Sequence, residues 1–341
     1  MMENSGVQVL TLAQLKAGQS ARVALLTNPG SGRNREGGGK LEAILARHPE
    51  TIKETANTPA EVHAALQRLA LQEPEVLVIN GGDGTVAATF TALFNERPFR
   101  RLPLLALLAG GTTNMTAADT GMKGSASRAL ERLLQWARAV DPTVTAVQRP
   151  VLRVQAGDDE APLYGMFFGT GAIIKGIEYC HQKILRRGLR DGYGPGLCML
   201  RILFALMRGD HRYVAPVALK VASSPVLEES GAERKYFILL ASTLERLFLG
   251  MRPYWGEQNG GLYYSAIGAS PRRPLRAIPP LFWGKPGRHA TPENGYWSRK
   301  IDELVLELEG TFTIDGELYP ASLARGLVRV SHTVPLTFLR F

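Results

Sequence analysis

The chain has 341 residues, more than one hydrophobic core usually holds, so we expect two domains. Hydrophobic residues make up 45% of it and charged residues 21%, values that are typical of a globular protein and exclude intrinsic disorder. Forty lysines and arginines stand against 31 aspartates and glutamates, and the net charge of +9 favours anionic partners. Nucleotides, acidic lipid head groups and nucleic acid all fit this charge.

Neither a targeting signal nor a disulfide framework is predicted. Residues 1–20 lack a basic segment followed by an apolar one, and no apolar run approaches the length that spans a bilayer. The two cysteines are too few for a disulfide framework. We therefore expect a cytoplasmic protein with reduced cysteines, which would meet a membrane only from its surface.

The most informative stretch is an apolar run that ends in a glycine turn. Residues 76–79 form a predicted buried strand, residues 86–94 a predicted helix, and Asn80-Gly81-Gly82-Asp83-Gly84-Thr85 lies between them. Unpaired N–H groups and the dipole at the start of a helix favour an anion, and the glycines would let a phosphate come close. Asp83 would repel that phosphate unless a cation lay between them, so the turn predicts a magnesium nucleotide. An Asp that only bonds its own turn is the plainer alternative.

Similar units flank this one. A strand over residues 21–26 leads into a glycine loop and a helix over 40–47, and a strand over 102–108 leads into a second Gly-Gly loop. A short strand at 52–55 precedes a helix that reaches residue 70, with Thr58 as its N-cap. These units predict an α/β domain with a parallel sheet whose loops converge at one edge. A further helix is predicted over residues 126–139.

The second half of the chain lacks the strand–loop–helix units of the first half. Short strand-like runs separated by turn residues predict a mainly antiparallel β-sandwich. These runs cover residues 144–147, 151–154, 163–168, 217–221, 236–240, 262–267, 304–308 and 312–314. We place the domain boundary near Asp141-Pro142, which gives domains 1–142 and 143–341, with the extreme C-terminus free to pack back on the first domain.

Four motifs support a family resemblance. They are Asn28-Pro29-Gly30-Ser31-Gly32, Gly81-Gly82-Asp83-Gly84-Thr85, Gly111-Thr112-Thr113-Asn114 and Ile314-Asp315-Gly316-Glu317. In this order they resemble the diacylglycerol kinase and sphingosine kinase superfamily, and more closely its soluble bacterial members that phosphorylate lipids. The resemblance implies an ATP-binding α/β domain like that of NAD kinases and a β-sandwich domain for the lipid, with the active site in the cleft between them.

The resemblance also implies nucleotide-binding residues. They are Asn28, Pro29, Gly30, Ser31, Gly32, Thr58, Gly81, Gly82, Asp83, Gly84, Thr85, Val86, Ala87 and Thr112. Asp83 would organise Mg²⁺ by direct contact or through water. For Thr58, an N-cap that serves only its own helix is an equally good interpretation.

A late Asp-Gly-Glu motif carries the predicted base. Asp315 and Glu317 flank a glycine after an apolar strand, and locally this Asp-Gly pair indicates a hairpin turn. In the family the motif supplies the general base that takes the proton from the lipid hydroxyl as it attacks the γ-phosphate. We assign that role to Glu317, with Asp315 as its partner or alternate.

Two stretches depart from the family pattern. Asn259-Gly260-Gly261-Leu262-Tyr263 stands where many bacterial members have Asp-Gly-x-Leu-Asp, which argues against a second, structural metal. Asn114-Met115 stands where an Asn-Asp pair is usual, so no role for that Asp carries over.

Two segments are candidates for membrane contact. Residues 197–208 form an apolar run flanked by basic residues, for which a core or lipid-cleft helix is the preferred interpretation. In residues 272–285, basic and large apolar side chains interleave, which favours docking on anionic lipid over an irregular hairpin.

The combined prediction is an ATP- and Mg²⁺-dependent kinase of diacylglycerol, a sphingoid base or a related lipid. It would be cytoplasmic and attached peripherally to the inner face of the membrane, with a homodimer as an open alternative to a monomer. An NAD kinase and a catalytically silent module that binds nucleotide and lipid are the competing hypotheses. Nucleic acid is not an expected partner, because none of its binding motifs is present.

Overall fold

The computed structural model describes residues 7–11, 21–138, 143–178, 216–226, 231–257 and 259–340. The chain divides into unit 1, Met1–Pro150 with Val334–Phe341, and unit 2, Val151–Thr333. Within the described ranges, no helix is long and apolar enough to cross a membrane. The candidate helix at residues 197–208 lies outside the described residues.

Unit 1 is built on a seven-stranded sheet. Its strands, numbered in chain order, are β1 (Val7–Thr11), β2 (Val23–Thr27), β3 (Ile52–Thr55), β4 (Val76–Gly81), β5 (Leu104–Ala109), β6 (Thr143–Arg149) and β18 (Leu336–Arg340), and their spatial order is β1-β6-β18-β5-β4-β2-β3. Strands β2 to β5 are parallel, and β18 is parallel to β5, whereas β6 runs antiparallel to both β18 and β1. The predicted parallel sheet is confirmed.

Helices cover both faces of this sheet. They are α1 (Asn34–Ala46), α2 (Pro59–Ala70), α3 (Asp83–Asn95), α4 (Met115–Thr120) and α5 (Ala126–Arg138). Apolar residues of α1 and α5 share one buried cluster with alternate residues of the central strands, such as Leu25 and Val78. The strand residues between them, such as Leu26 and Ile79, are also buried and point to the opposite face. There α2 packs against α3, and Phe90 meets Phe338 of β18 edge-on.

Helix α1 begins six residues earlier than predicted. The sequence placed Gly37 to Gly39 ahead of the helix because each glycine costs about 1 kcal/mol in a helix relative to alanine. In the structure these glycines lie inside it. The side chain of Asn34, the first helical residue, donates to the backbone oxygens of Asn28 and Asn80, at 2.8 and 3.1 Å. These contacts with other segments fix the start of the helix.

Both ends of the predicted second domain contribute strands to unit 1. Residues 143–149 form β6 and the terminal residues form β18, and these two strands pair with each other along the same sheet. The sequence assigned residues from 143 onward to the second domain and allowed only the extreme C-terminus to return. The sheet that a strand joins is decided by distant partners, so a local pattern cannot place it.

The described residues of unit 2 form a continuous eleven-stranded sheet in which all paired strands are antiparallel. Its strands are β7 (Leu152–Ala156), β8 (Leu163–Gly165), β9 (Phe167–Gly171), β10 (Val217–Ser224), β11 (Glu233–Ser242), β12 (Leu262–Gly268), β13 (Tyr296–Ile301), β14 (Glu303–Leu308), β15 (Gly310–Ile314), β16 (Glu317–Ala321) and β17 (Val328–His332). Inward side chains from most of them form one buried cluster. The predicted antiparallel β domain is confirmed.

The described residues of unit 2 also include short helical segments. Residues 172–178 are helical, α6 spans Pro274–Leu281, and single 3₁₀ turns occur at Phe248–Gly250, Pro292–Asn294 and Leu323–Arg325. Helix α6 buries Ala277, Ile278 and Leu281 in a small cluster with Tyr296. The region where an irregular hairpin was the alternative is therefore a helix.

Candidate functional site

Three loops of unit 1 meet at the carboxyl ends of the parallel strands. They follow β2, β4 and β5, and backbone hydrogen bonds join them. Asn28 N donates to Asn80 O at 2.9 Å, and Arg33 N donates to Gly110 O at 3.0 Å. Gly110 N donates to Gly81 O at 3.2 Å. The parallel register brings the motifs together, and these bonds hold them there.

Side chains of the first loop reach into the second. Asn28 Nδ2 donates to Thr85 Oγ1 at 2.9 Å, and Ser31 Oγ accepts from Gly82 N at 3.2 Å. Asn28 and Ser31 therefore hold the glycine turn at the start of α3. The Oδ1 atom of Asn28 is buried and has no hydrogen-bond partner among the described residues. An acceptor is thus left unsatisfied beside the loops that are predicted to bind nucleotide.

Two of the glycines are required by packing within the protein. A Cβ atom on Gly111 would collide with the backbone of Gly82, and one on Gly81 would lie 2.6 Å from the Cβ of Thr85. The sequence attributed Gly81 to the approach of a phosphate. Gly111 is required by the close approach of two loops, because the backbone of Gly82 cannot move aside cheaply, whereas Gly81 is required by the side chain of Thr85 in its own turn.

Asp83 links the second loop to the third. Its Oδ2 accepts from Met115 N and its Oδ1 from Thr116 N, both at 3.0 Å, so the carboxylate bonds the first turn of α4. Desolvation raises the pKa of Asp83, while the hydrogen bonds from Thr116 and Met115 act in the opposite direction. Asp83 therefore does more than bond its own turn: it fixes a neighbouring loop.

A Mg²⁺ ion would find few protein ligands here. Within the described part of the chain, no three His, Cys, Asp or Glu side chains cluster as a metal site. Each oxygen of Asp83 already accepts one backbone N–H group, from Met115 and from Thr116. Mg²⁺ commonly takes one or two carboxylates and completes its shell with phosphate oxygens and water. The residues thus fit a nucleotide-borne ion that Asp83 contacts directly or through water.

The other predicted nucleotide residues fall into two groups. Thr58 Oγ1 accepts from Glu61 N at 3.3 Å, and Glu61 Oε2 accepts from Asn57 N at 2.7 Å, one residue before the N-cap, so the pair is a variant of the capping box. Val86 and Ala87 are buried in α3, so they could offer a ligand little more than backbone. The predicted N-cap of α2 is confirmed, and the nucleotide contacts of these residues stay predictions.

The predicted base motif in unit 2 is a hairpin turn. Ile314 pairs with Glu317 across β15 and β16, and the two turn residues have positive φ angles, 50° at Asp315 and 95° at Gly316. Such a two-residue turn favours Asp-Gly because both positions are left-handed. The predicted hairpin turn is therefore confirmed. The turn places the carboxylates of Asp315 and Glu317 in different surroundings.

Asp315 points inward and is committed to backbone groups. Its Oδ1 accepts from Phe167 N at 2.9 Å and its Oδ2 from Met166 N at 3.0 Å, while its own N–H donates to Phe167 O at 3.0 Å. The residue is 8% exposed. Asp315 thus fastens the β15–β16 turn to the start of β9.

Glu317 is exposed, and its carboxylate forms no hydrogen bond or ion pair with a described residue. Two residues on, Tyr319 stacks on Phe312, which stacks on Phe168, with ring centroids 5.6 and 5.4 Å apart. Burial raises the pKa of Tyr319, and the negative charges of Glu317 and Asp315 add to the effect. Glu317 is therefore a free carboxylate beside a rigid aromatic stack.

The two stretches that depart from the family pattern have defined local hydrogen bonds. Gly261 N donates to Asp302 Oδ1 at 3.1 Å in the stretch where a metal site was doubted. At the third loop, Asn114 has a φ of 50°, and its side chain bonds Gly111 N and O at 2.7 and 2.5 Å. Met115 contributes its backbone N–H to Asp83, for which any residue would serve.

One asparagine was missed as a loop organiser. Asn34 Nδ2 donates to the backbone oxygens of Asn28 and Asn80, and so joins the first loop to the end of β4. No local signal pointed to Asn34, because its position depends on a helix start that the three glycines disfavour.

Comparison with known proteins agrees with this architecture. Residues 22–144 match the model of the diacylglycerol kinase catalytic domain. The chain is similar to a crystal structure of a diacylglycerol kinase from Bacillus anthracis strain Sterne, at 15% identity, over 94% of this chain and 97% of that one, with a TM-score of 0.59. A second structure from that organism, of a proposed diacylglycerol kinase, aligns at 16% identity over 94% and 97%, with a TM-score of 0.62. No curated protein matches the sequence.

The fold and the domain match show what the chain resembles. Residues 22–144 of the α/β unit match the diacylglycerol kinase catalytic domain, and the chain as a whole shares the fold of the two Bacillus anthracis structures. The findings confirm the resemblance of the chain to the diacylglycerol kinase and sphingosine kinase superfamily, with the family match on residues 22–144. The match to a kinase family implies that ATP is used, typically with a divalent metal.

Proposed function

We propose that the protein transfers the γ-phosphate of ATP to a hydroxyl group of diacylglycerol, a sphingoid base or a related lipid. The observation that carries the proposal is the meeting of three family motifs at one edge of the unit 1 sheet, within the segment that matches the diacylglycerol kinase catalytic domain. Phosphoryl transfer needs mainly positioning and neutralisation of charge, which such backbone-rich loops supply.

In this proposal the unit 1 loops bind the nucleotide. Backbone N–H groups of Gly84 and Thr85, in the first turn of α3, face an anion at the helix start. Asn28 and Ser31 hold that turn in place, and Asp83 fixes the third loop beside it. Mg²⁺, when bound, would neutralise part of the phosphate charge, with Asp83 as its protein contact.

Glu317 acts as the general base in unit 2. The hydroxyl oxygen of the lipid forms a bond to the γ-phosphorus, the bond from that phosphorus to the β–γ bridging oxygen breaks, and the hydroxyl proton passes to the Glu317 carboxylate. Support comes from the contrast within the motif. Asp315 accepts two backbone N–H groups, whereas the Glu317 carboxylate is exposed and unpaired among the described residues. Asp315 then serves as a positioning residue.

The substrate assay separates this proposal from its competitors. Purified protein is incubated with Mg²⁺, ATP labelled in its γ-phosphate, and either a total lipid extract or NAD, and the products are identified by mass. We expect label in a lipid and none in NADP. Label in NADP would favour an NAD kinase, and ATP binding without transfer to any lipid would favour a silent binding module.

We also propose that α6 and the residues around it dock on an anionic membrane from the cytoplasmic side. Leu275 and Trp283 are 63% and 67% exposed. Five exposed cations surround them, and none forms an ion pair with a described residue: Arg272, Arg273, Arg276, Lys285 and Arg288. Desolvation, followed by Arg273, Arg288 and Arg276, lowers the pKa of His289, which indicates a positive local potential. Apolar and cationic groups on one surface suit lipid head groups.

Vesicle binding tests the docking surface. Trp283→Ala should weaken binding to vesicles that contain anionic lipid roughly tenfold, because a large apolar side chain no longer enters the interface. Leu71→Ala, at an exposed leucine of unit 1, is the control and should bind like the wild type. Equal binding by both variants would contradict the assignment. The homodimer stays a prediction.

A further inference from the structure

Tyr319 lies on the same strand as the proposed base, two residues further along the chain. Both residues belong to β16, where Glu317 pairs with Ile314 of β15 and Tyr319 pairs with Phe312. Residues i and i+2 of a strand point to the same face of the sheet and lie about 6.6 Å apart. The side chain of Tyr319 therefore stands beside that of Glu317.

Stacking holds the ring of Tyr319 in place. The ring lies against Phe312, which in turn lies against Phe168, and the last two side chains are fully buried in the core of unit 2. Strand β16 is the outermost strand at this end of the described sheet, so the stack ends at Tyr319. Its hydroxyl group is therefore a fixed point beside Glu317, whose exposed side chain retains its rotational freedom.

The hydroxyl group of Tyr319 is an unused donor. Tyr319 is half-buried, and its hydroxyl group forms no hydrogen bond with a described residue. Desolvation raises the pKa of Tyr319, and the charges of Glu317 and Asp315 raise it further, so the phenol keeps its proton at neutral pH. An unpaired donor on Tyr319 and an unpaired acceptor on Glu317 thus stand side by side on one strand.

We propose that the hydroxyl group of the acceptor lipid binds between Tyr319 and Glu317, an inference that rests on the proposed role of Glu317. The phenol O–H donates to the oxygen of the lipid hydroxyl, and that hydroxyl donates its own proton to the Glu317 carboxylate. Two O–H···O hydrogen bonds in series span about 5.5 Å, close to the spacing of neighbours on one face of a strand. When the oxygen attacks the γ-phosphorus, its proton passes to Glu317, while Tyr319 keeps its proton and holds the oxygen in position.

Removing one hydroxyl group from the protein and one from the lipid tests this contact. The probes are dioctanoylglycerol and sphinganine, each compared with its analogue that lacks the primary hydroxyl group, at a fixed mole fraction in detergent micelles. Calorimetric titration of the full chain, with Mg²⁺ and ADP present so that no phosphate is transferred, should show that at least one of the two lipids binds more tightly than its analogue. Tyr319→Phe keeps the stacked ring and should reduce this preference about fivefold, because one hydrogen bond to the hydroxyl is lost.

Tyr263→Phe is the matched control. Tyr263 is another half-buried tyrosine of unit 2, and it stacks on Tyr254 with ring centroids 4.3 Å apart. It lies on β12, and strands β15, β9 and β11 stand between β12 and β16 in the sheet. This variant should keep the wild-type preference for the hydroxyl lipid, and circular dichroism should show both variants folded.

Three results would overturn the proposal: no preference of the wild type for either hydroxyl lipid, the full wild-type preference in folded Tyr319→Phe, or an equal loss in both variants. In the transfer assay, Tyr319→Phe should lower kcat/KM for the lipid about fivefold and leave KM for ATP unchanged. A change in KM for ATP alone would contradict the contact with the lipid. Because the binding preference is measured without phosphate transfer, its failure and the failure of the proposed kinase activity are distinguishable.

Discussion

Two aspartates within the family motifs, Asp83 and Asp315, form hydrogen bonds that the motifs alone do not reveal. Asp83 accepts N–H groups from α4, and Asp315 accepts N–H groups from the start of β9. In both residues the carboxylate joins segments that are far apart in the chain. Loss of either side chain should therefore affect folding as well as chemistry, which complicates any activity assay of their variants.

Replacing Asp315 by alanine should destabilise the protein by about 2 kcal/mol, because the N–H groups of Met166 and Phe167 would lose their acceptor in a buried setting. Urea unfolding measures the change. Asp159→Ala is the matched control, since Asp159 is an exposed carboxylate of unit 2, and it should unfold like the wild type. If the two variants were equally stable, the fastening role of Asp315 would be wrong.

The stability contributed by Asp83 should depend on pH in a defined direction. Burial raises the pKa of Asp83 above its ordinary 3.8, so the folded protein holds this proton more tightly than the unfolded chain does. Its contribution is greatest below pH 3.8 and declines as the pH rises through the raised pKa. Asp83→Asn cannot titrate there.

Urea unfolding of the wild type and Asp83→Asn between about pH 3.5 and 7 checks this. The free energy of unfolding of the wild type should fall relative to that of the variant as the pH rises, and then level off. A relative rise over the same range would mean that the hydrogen bonds from α4 outweigh desolvation at Asp83.

At the scale of elements, local signals predicted what local physics controls. Three features could be predicted from the sequence because each depends on neighbouring residues: the N-cap at Thr58, the buried strand before Gly81 and the Asp315-Gly316 turn. The start of α1 was not readable, because Asn34 is held by oxygens of two other segments. Likewise, the reason for Gly111 lies at Gly82, on a different loop.

A pair of glycine substitutions tests this distinction. Gly111→Ala should destabilise the protein by about 1 to 3 kcal/mol and weaken ATP binding, because its Cβ would push the third loop off Gly82. Gly39→Ala should stabilise it by about 0.5 to 1 kcal/mol, since Gly39 lies within α1 and a Cβ there meets nothing within 4 Å. Thermal unfolding and ATP titration compare them. A harmless Gly111→Ala would show that the loops need not approach so closely.

At the scale of the molecule, the sequence predicted the two kinds of domain but not the full membership of their sheets. Strands β6 and β18 complete the sheet of unit 1 from either side of unit 2 in the chain. Phe338, which is fully buried against Phe90, shows that β18 is part of that core. Nothing within a five-residue strand specifies a partner almost two hundred residues away. The family motifs, by contrast, were readable because their chemistry is local.

We propose that this chain is a lipid kinase whose proton acceptor is Glu317. Its most direct test is the rate of phosphate transfer from ATP to lipid by the wild type, Glu317→Gln and the control Asp159→Asn, measured with saturating ATP. Glu317→Gln should lose about 10²- to 10⁴-fold in kcat while keeping wild-type stability and ATP affinity, and Asp159→Asn should retain full activity. A Glu317→Gln variant that phosphorylates lipid at the wild-type rate would contradict the account.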